Sequence, residues 1–233
     1  VIVRPSASVT TPLVTAGDPG STNPLINWNG VDYLTFDGVP GGSTGSNVVS
    51  NGRWIIRNTR TAATVGSVVQ LINDATYNTL KYVQIEGQNV TTTSGLVVIS
   101  NSPSGTTGND NNTITYCAIR DRSDATGVPA NLIYAAGAVG KVNDNNTISF
   151  NNLFNYNLSG TSTQAAVLVS SYNSDYTIQG NSIYQVTAYT TAADKYGILI
   201  DAATGSGGNF TVTNNAIGGN TAGATGTWQV NAT

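Results

Sequence analysis

The densest group of ionisable side chains in this 233-residue sequence is IRDRSD at 119–124, where Arg120, Asp121, Arg122 and Asp124 alternate in sign. Carboxylates beside guanidinium groups are what an acid/base centre with a substrate clamp requires. The same alternation describes a loop of mutually compensating charges, whose pairs contribute little when solvated. The rest of the chain decides between the two. It holds one glutamate, Glu86, and no histidine. A glycoside hydrolase needs two carboxylates about 5–10 Å apart, and a polysaccharide lyase needs an acidic calcium cluster beside a basic proton acceptor. The compensating loop is therefore the preferred reading, and catalysis is not expected.

A second polar phrase, NDNN, occurs at 109–112 and again at 143–146. If the two copies stack, Asp110 lies over Asp144, with Asn109, Asn111, Asn143 and Asn145 nearby. Oxygen donors of this kind suit calcium, the one cofactor the sequence suggests. Two charged donors fall short of the six or more oxygens that calcium takes, and a polar turn before a strand would use the same residues. The single cysteine, Cys117, cannot form an internal disulfide and reads as a small buried hydrophobe.

These residues sit inside a longer repeat: Thr, an aliphatic residue, two residues, a turn residue, any residue, an aliphatic residue. It is clearest as Thr113-Ile114 with Ile119, Thr147-Ile148 with Leu153, Thr177-Ile178 with Ile183 and Thr211-Val212 with Ile217. Weaker copies are Thr79-Leu80 with Ile85 and Tyr33-Leu34 with Val39. The first aliphatics fall at 34, 80, 114, 148, 178 and 212, so the spacings are 46, 34, 34, 30 and 34. RWIIRNT (53–59) lies in the long first gap and reads as a degenerate extra copy. Between phrases come further apolar strands: SVVQLI (67–72), GLVVIS (95–100), NLIYAA (131–136), AAVLVS (165–170) and YGILID (196–201).

Three short strands per period describe a rung of a solenoid, in which like positions stack at ~4.8 Å. Leu34, Leu80, Ile114, Ile148, Ile178 and Val212 then form one inward column, and Val39, Ile85, Ile119, Leu153, Ile183 and Ile217 a second. Strand alternation also points Phe36, Tyr82, Tyr116 and Phe150 inward. Asp37, Asn151, Asn181 and Asn215 fall at the corner, where such residues tolerate left-handed backbone and can hydrogen-bond along a stack. Twenty-six glycines and the abundance of Asn and Thr agree with strands and tight turns. The expected fold is all-β, a right-handed parallel β-helix of about seven rungs forming one domain over 1–233.

VIVRP (1–5), NGVDYLTFDGV (29–39), NNTITYCAIRD (111–121) and NNTISFNNL (145–153) resemble the right-handed parallel β-helix repeat proteins, whose superfold is shared by pectate lyases and many bacterial surface proteins. They are similar, more narrowly, to the large exported β-helix proteins of Bacteroidota-type bacteria. The resemblance implies an extracellular or cell-surface location. It carries over no catalytic residues, because that group includes adhesins, stalks and polysaccharide-active proteins.

Two outward columns could bind something. One residue beyond the second inward column are Glu86, Arg120, Phe154, Tyr184 and Gly218, with Tyr156 and Tyr189 in the loops that follow. Glu86 and Arg120 read as a surface ion pair. Phe154 beside Tyr184 reads as an aromatic platform for the apolar face of a sugar ring, unless the 155–165 and 185–195 loops cover both. The other column is Thr79, Thr113, Thr147, Thr177 and Thr211, beside Thr35, Lys81, Thr115, Ser149, Gln179 and Thr213. A flat threonine lattice suits an ice surface, although Thr is also simply a good outward strand residue.

A net charge of −3 with no basic cluster argues against nucleic acid. Apolar runs are far shorter than the ~20 residues that span a bilayer. The chain opens on VIVRP without Met and closes on the strand-like TWQVNAT (227–233), so a processed segment of a longer surface protein, in contact with neighbouring domains, is expected. The expected function is a non-enzymatic adhesin or scaffold with a polysaccharide or cell-surface glycan as ligand. A polysaccharide lyase or hydrolase is the first alternative, and an ice- or mineral-surface binder the second.

Overall fold

A computed structural model describes residues 1–233 apart from 62–65, 157–161, 191–193, 203–204, 229 and 232–233. Among the described residues there are short strands and one 3-10 turn, Val49–Asn51, but no α-helix. The strands form three long parallel sheets. The first contains Ile2–Val3, Thr35–Asp37, Thr79–Lys81, Thr113–Thr115, Thr147–Ser149, Thr177–Gln179 and Thr211–Thr213. The second contains Leu13–Gly17, Trp54–Asn58, Val83–Gly87, Ala118–Asp121, Asn152–Phe154, Ser182–Tyr184 and Ala216–Ile217. The third contains Ile26–Asn29, Val69–Ile72, Val97–Ile99, Ile133–Ala135, Gln164–Val169 and Lys195–Ile200. The chain visits the three sheets in turn, and each strand pairs with its counterpart one repeat away. This arrangement is consistent with a parallel β-helix. The piece at 227–233 contributes Val230–Asn231, which pairs with Tyr189–Thr190 outside the long sheets; residues 229, 232 and 233 lie outside the described residues.

The aliphatic columns set the register. Leu80, Ile114, Ile148 and Ile178 face one another on consecutive strands, as do Ile85, Ile119, Leu153 and Ile183, and all are buried. Leu71, Ile99, Ala135 and Val169 supply the matching column of the third sheet. The columns run out at Val212 and Ile217, which are 45% and 51% exposed.

The first copy of the repeat is shifted by two residues from its expected place. Phe36, not Leu34, pairs with Leu80, and Thr35 pairs with Thr79. Val39 is buried but does not join the second column, where Ile56 stands opposite Ile85. RWIIRNT is therefore the second-sheet strand of this same turn and not an extra copy. The long spacing comes from an inserted segment between Asp37 and Arg53. Asp37 holds it: its carboxylate accepts the N–H of Val39 (3.1 Å) and of Ser43 (2.7 Å) and lies 3.4 Å from Lys81 Nζ.

The aromatic column is also rearranged. Only Phe36 points into the core. Tyr82, Tyr116 and Phe150 are single corner residues with φ of 54°, 52° and 55°, followed in the same column by Gly180 and Asn214. One left-handed residue breaks the alternation of strand side chains and throws the rings outward. Bulky residues rarely adopt this conformation, and here the rings stack on one another, with centroids 4.9 Å (Tyr82 and Tyr116) and 5.1 Å (Tyr116 and Phe150) apart. The stack stops at Gly180 because a Cβ there would enter the Phe150 ring. The corner before the first sheet repeats the device with Tyr33, Tyr77, Asn111, Asn145, Asp175 and Asn209, all at positive φ.

Asparagine ladders account for NDNN. Asn112 Oδ1 accepts the backbone N–H of Asn78 and its Nδ2–H, while Asn112 Nδ2 donates to the carbonyl of Ala75 (2.8 Å). Asn146 repeats this one turn on, accepting from the Asn112 N–H and donating to the Asn109 carbonyl. Asn109, Asn143 and Asn173 form a second ladder. The first and fourth residues of each phrase are thus ladder members, and the third is the left-handed corner. Asn151, Asn181 and Asn215 form a third ladder, which ends where Cys117 N–H donates to Asn151 Oδ1. Cys117, not Asp37, continues that column, and burial pushes its thiol up to about 12.

One loop is pinned by charge. Burial alone would raise the Asp74 carboxyl, but the N–H groups of Thr106, Thr107 and Gly108 outweigh it and hold the carboxyl below its ordinary value. A carboxylate with a depressed folded-state pKa adds stability above its unfolded pKa, and that stability is lost as pH falls through the folded value. Asp74→Ala is therefore expected to lower the melting temperature at neutral pH and to match the wild type in strong acid. Melts of both proteins across this range check it; a gap that persists in acid would mean that the carboxylate charge is not what holds the loop.

Candidate functional site

Ile55, Gln84, Ala118 and Asn152 occupy one outward column of the second sheet, in register on consecutive strands. They floor an open groove of about 320 Å³. Because its floor residues are register partners, the groove runs across the strands, along the direction of stacking. Three steps of ~4.8 Å make the floor ~14 Å long. The low side chain of Ala118 deepens its middle, and Gln84 and Asn152 line it with amides.

One wall is Tyr82 together with Val49, Ser50, Gly52 and Arg53 of the inserted segment. The segment rests against Tyr82, whose Oη donates to the Asn47 carbonyl at 3.4 Å. The other wall is Phe154 and Tyr184, whose rings stack at 4.7 Å and 8°. Arg120 caps this stack from the preceding strand, with Cζ 4.9 Å from the Phe154 centroid. The guanidinium is held by Asp121 Oδ1, 2.9 Å from Nε and 2.8 Å from Nη2. Asn155 Nδ2 donates to the same Asp121 oxygen, and Asn155 Oδ1 accepts the N–H groups of Val186 and Thr187. Burial raises the Asp121 carboxyl despite Arg120 and Asn155, and burial pushes the Tyr184 hydroxyl up to about 12 against the pull of Arg120. Tyr184 is thus a neutral phenol at physiological pH.

The sequence column of Glu86, Arg120, Phe154 and Tyr184 is present as a register of neighbours. Its chemistry differs from expectation at two places. Glu86 is fully buried and pairs with Arg57 Nε (2.6 Å), not with Arg120, and also accepts from Ser123 Oγ (3.1 Å) and from Gln84. Arg57 was out of sight because it lies on the turn whose register was shifted. Tyr156 is not part of the platform: it is 1% exposed and donates to the Tyr196 carbonyl at 2.9 Å. Tyr189 belongs to a short strand, but its side chain and residues 157–161 and 191–193 of the two loops lie outside the described residues. Phe154 is half-buried, and Tyr184 is 8% exposed.

The IRDRSD charges compensate one another, as expected, but not as a solvated loop. Arg122 is buried, pairs with Asp124 at 2.8 Å and donates to the Thr59 carbonyl at 2.6 Å, while Arg57 Nη1 also reaches Asp124. The cluster ties three turns together.

Asp110 and Asp144 do come together. Asp110 Oδ1 accepts the Asp144 N–H at 2.8 Å, and Asp144 Oδ1 accepts from Ser174 Oγ at 2.9 Å. Burial raises the Asp110 carboxyl, with Asp144 and Asp74 adding to it. Among the described residues, no group of three or more His, Cys, Asp or Glu side chains could hold a metal ion.

The threonine column runs unbroken through Thr35, Thr79, Thr113, Thr147, Thr177 and Thr211, since the shifted first copy brings Thr35 into it. Beside it stand Asp37, Lys81, Thr115, Ser149, Gln179 and Thr213, so the second column is mixed.

Sequence reasoning missed the groove floor and the Arg53 wall. Gln84, Ala118 and Asn152 were legible one residue before the second inward column, as outward positions. Arg53 carried no signal, because the insertion hid its place. No helix among the described residues is long and apolar enough to cross a membrane. The chain matches no family model, no curated protein and no solved structure.

Proposed function

We propose that this chain is a non-enzymatic, extracellular or cell-surface segment of a right-handed parallel β-helix of about seven rungs that binds a glycan along the second-sheet groove. The observation that carries the reading is the groove itself. Tyr82 and Tyr184 are buried in its walls, and the half-buried Phe154, whose two faces are covered by Tyr184 and Arg120, offers its outward edge to the C–H groups of sugar rings. Its amide floor suits their hydroxyls. The groove direction suits an extended chain lying along the stack of turns.

Two observations support the non-enzymatic side. Among the described residues no Asp or Glu lines the groove, and the chain's one glutamate is enclosed by Arg57, Gln84 and Ser123. A glycan-array screen followed by titration calorimetry tests binding. Phe154→Ala is expected to weaken it about tenfold, the order of one lost aromatic contact, with little change in melting temperature. Tyr184→Ala is expected to cost stability as well, because that ring is buried. Full affinity in Phe154→Ala, or release of reducing ends or unsaturated products from pectin or alginate, would overturn the reading. The unbroken threonine column supports a second reading, adhesion to ice or mineral, which a thermal-hysteresis measurement on the same protein tests.

A further inference from the structure

Resting on the glycan reading, we infer that the groove takes an acidic glycan, whose carboxylate or sulfate group meets Arg53. The chain carries a net charge of −3, yet among the described residues the groove is lined by one cation and no anion. Other arginines near it are spent: Arg57 on Glu86 and Asp124, Arg120 on Asp121, Arg122 on Asp124. Arg53 meets no carboxylate among the described residues. Its Nη1 donates to the carbonyls of Ser50 (3.0 Å) and Gly52 (3.5 Å), and its Nε and Nη2 have no partner among the described residues. Those two nitrogens are the edge of a guanidinium that binds a carboxylate or sulfate in bidentate fashion.

Position supports the assignment. Arg53 precedes Trp54, which pairs with Val83, so Arg53 stands beside Tyr82 at the corner. Tyr82 itself is buried and stacked on Tyr116, so a sugar in the groove would meet the guanidinium beside it and not the ring face. The Arg53 backbone is held on both sides, its N–H donating to the Gly38 carbonyl (2.8 Å) and its carbonyl accepting the Leu13 N–H (2.6 Å), so the cation is positioned before any ligand arrives. Fixing a donor in advance lowers the ordering cost of binding.

The test uses the full chain and two matched pairs of tetrasaccharides: an oligogalacturonide with its methyl ester, and a sulfated galactan with its desulfated form. In low salt, one acidic member is expected to bind about tenfold more tightly than its neutral partner, and which pair discriminates identifies carboxylate or sulfate. The ratio should fall towards unity in high salt and in Arg53→Gln, and Arg53→Lys should retain part of it. The salt series needs no variant, so misfolding of Arg53→Gln would not mask the result. Equal affinities for acidic and neutral members, both weakened by Phe154→Ala, would overturn the acidic preference and leave the glycan reading standing. An acidic preference that Arg53→Gln leaves unchanged would remove Arg53 from it. Failure of all four sugars to bind would sink both.

Discussion

Ile148→Asp is expected to leave the central turns unfolded. Ile148 is fully buried and sits in register between Ile114 and Ile178, so its side chain is enclosed above and below by aliphatic groups. An aspartate there would place a carboxylate where no cation and no N–H donor faces it. An unpaired buried charge costs several kcal/mol, against a total stability of about 5–15 kcal/mol for a domain. Protonation would relieve the charge but leave an unsatisfied polar group and a smaller side chain. Circular dichroism and a denaturant melt are the readouts. A cooperative transition at the wild-type midpoint would refute the column.

Asn181→Leu is expected to be nearly as harmful, although it adds an apolar residue to an enclosed position. Asn181 Oδ1 accepts both the backbone N–H and the Nδ2–H of Asn151 (each 3.0 Å), and its Nδ2 donates to the Ile148 carbonyl at 2.9 Å. Leucine has similar bulk but would leave those three groups without partners. At about 1–3 kcal/mol for each buried orphan, a loss of roughly 3–9 kcal/mol follows. Asn215→Leu, at the half-buried end of the same ladder, should cost less, because water can reach the groups it abandons. A loss below ~1 kcal/mol at Asn181 would show that the ladder is ornamental to stability, and equal losses at the two positions would show that water access does not set its worth.

What the sequence made legible follows the physics of a repeat. The Ile114, Ile148 and Ile178 column, the threonine column and the Asn151, Asn181 and Asn215 ladder each repeat one residue type at one phase, so a single chain displays them. Corner geometry does not announce itself this way. Tyr82, Tyr116 and Phe150 look like inward strand residues until one left-handed φ is placed between the sheets. The first turn hid its register behind an insertion, which made Leu34 and Val39 look like column members and left Phe36, Ile56 and Arg57 unassigned. The groove has the same cause, since one of its walls is that insertion. Phe154 and Tyr184 were found because they are neighbours in a column. The partner of Glu86, by contrast, is 29 residues away on the turn whose phase was lost.

The asparagine ladders do not extend evenly through the molecule. They link the turns from Asn78 to Asn215, while the earliest turn is joined to the next by strand pairing and by separate side-chain contacts, Asn73 to Asn29, Trp54 to Thr15 and Arg60 to Asp18, in place of a ladder. If the two ends were pulled apart along the stacking direction, every layer would carry the same tension. Rupture would then begin where no ladder runs. The opening turn would peel away first, and the later turns would hold as a unit until a higher load. Under such a load the stack of turns has a weak joint near its beginning.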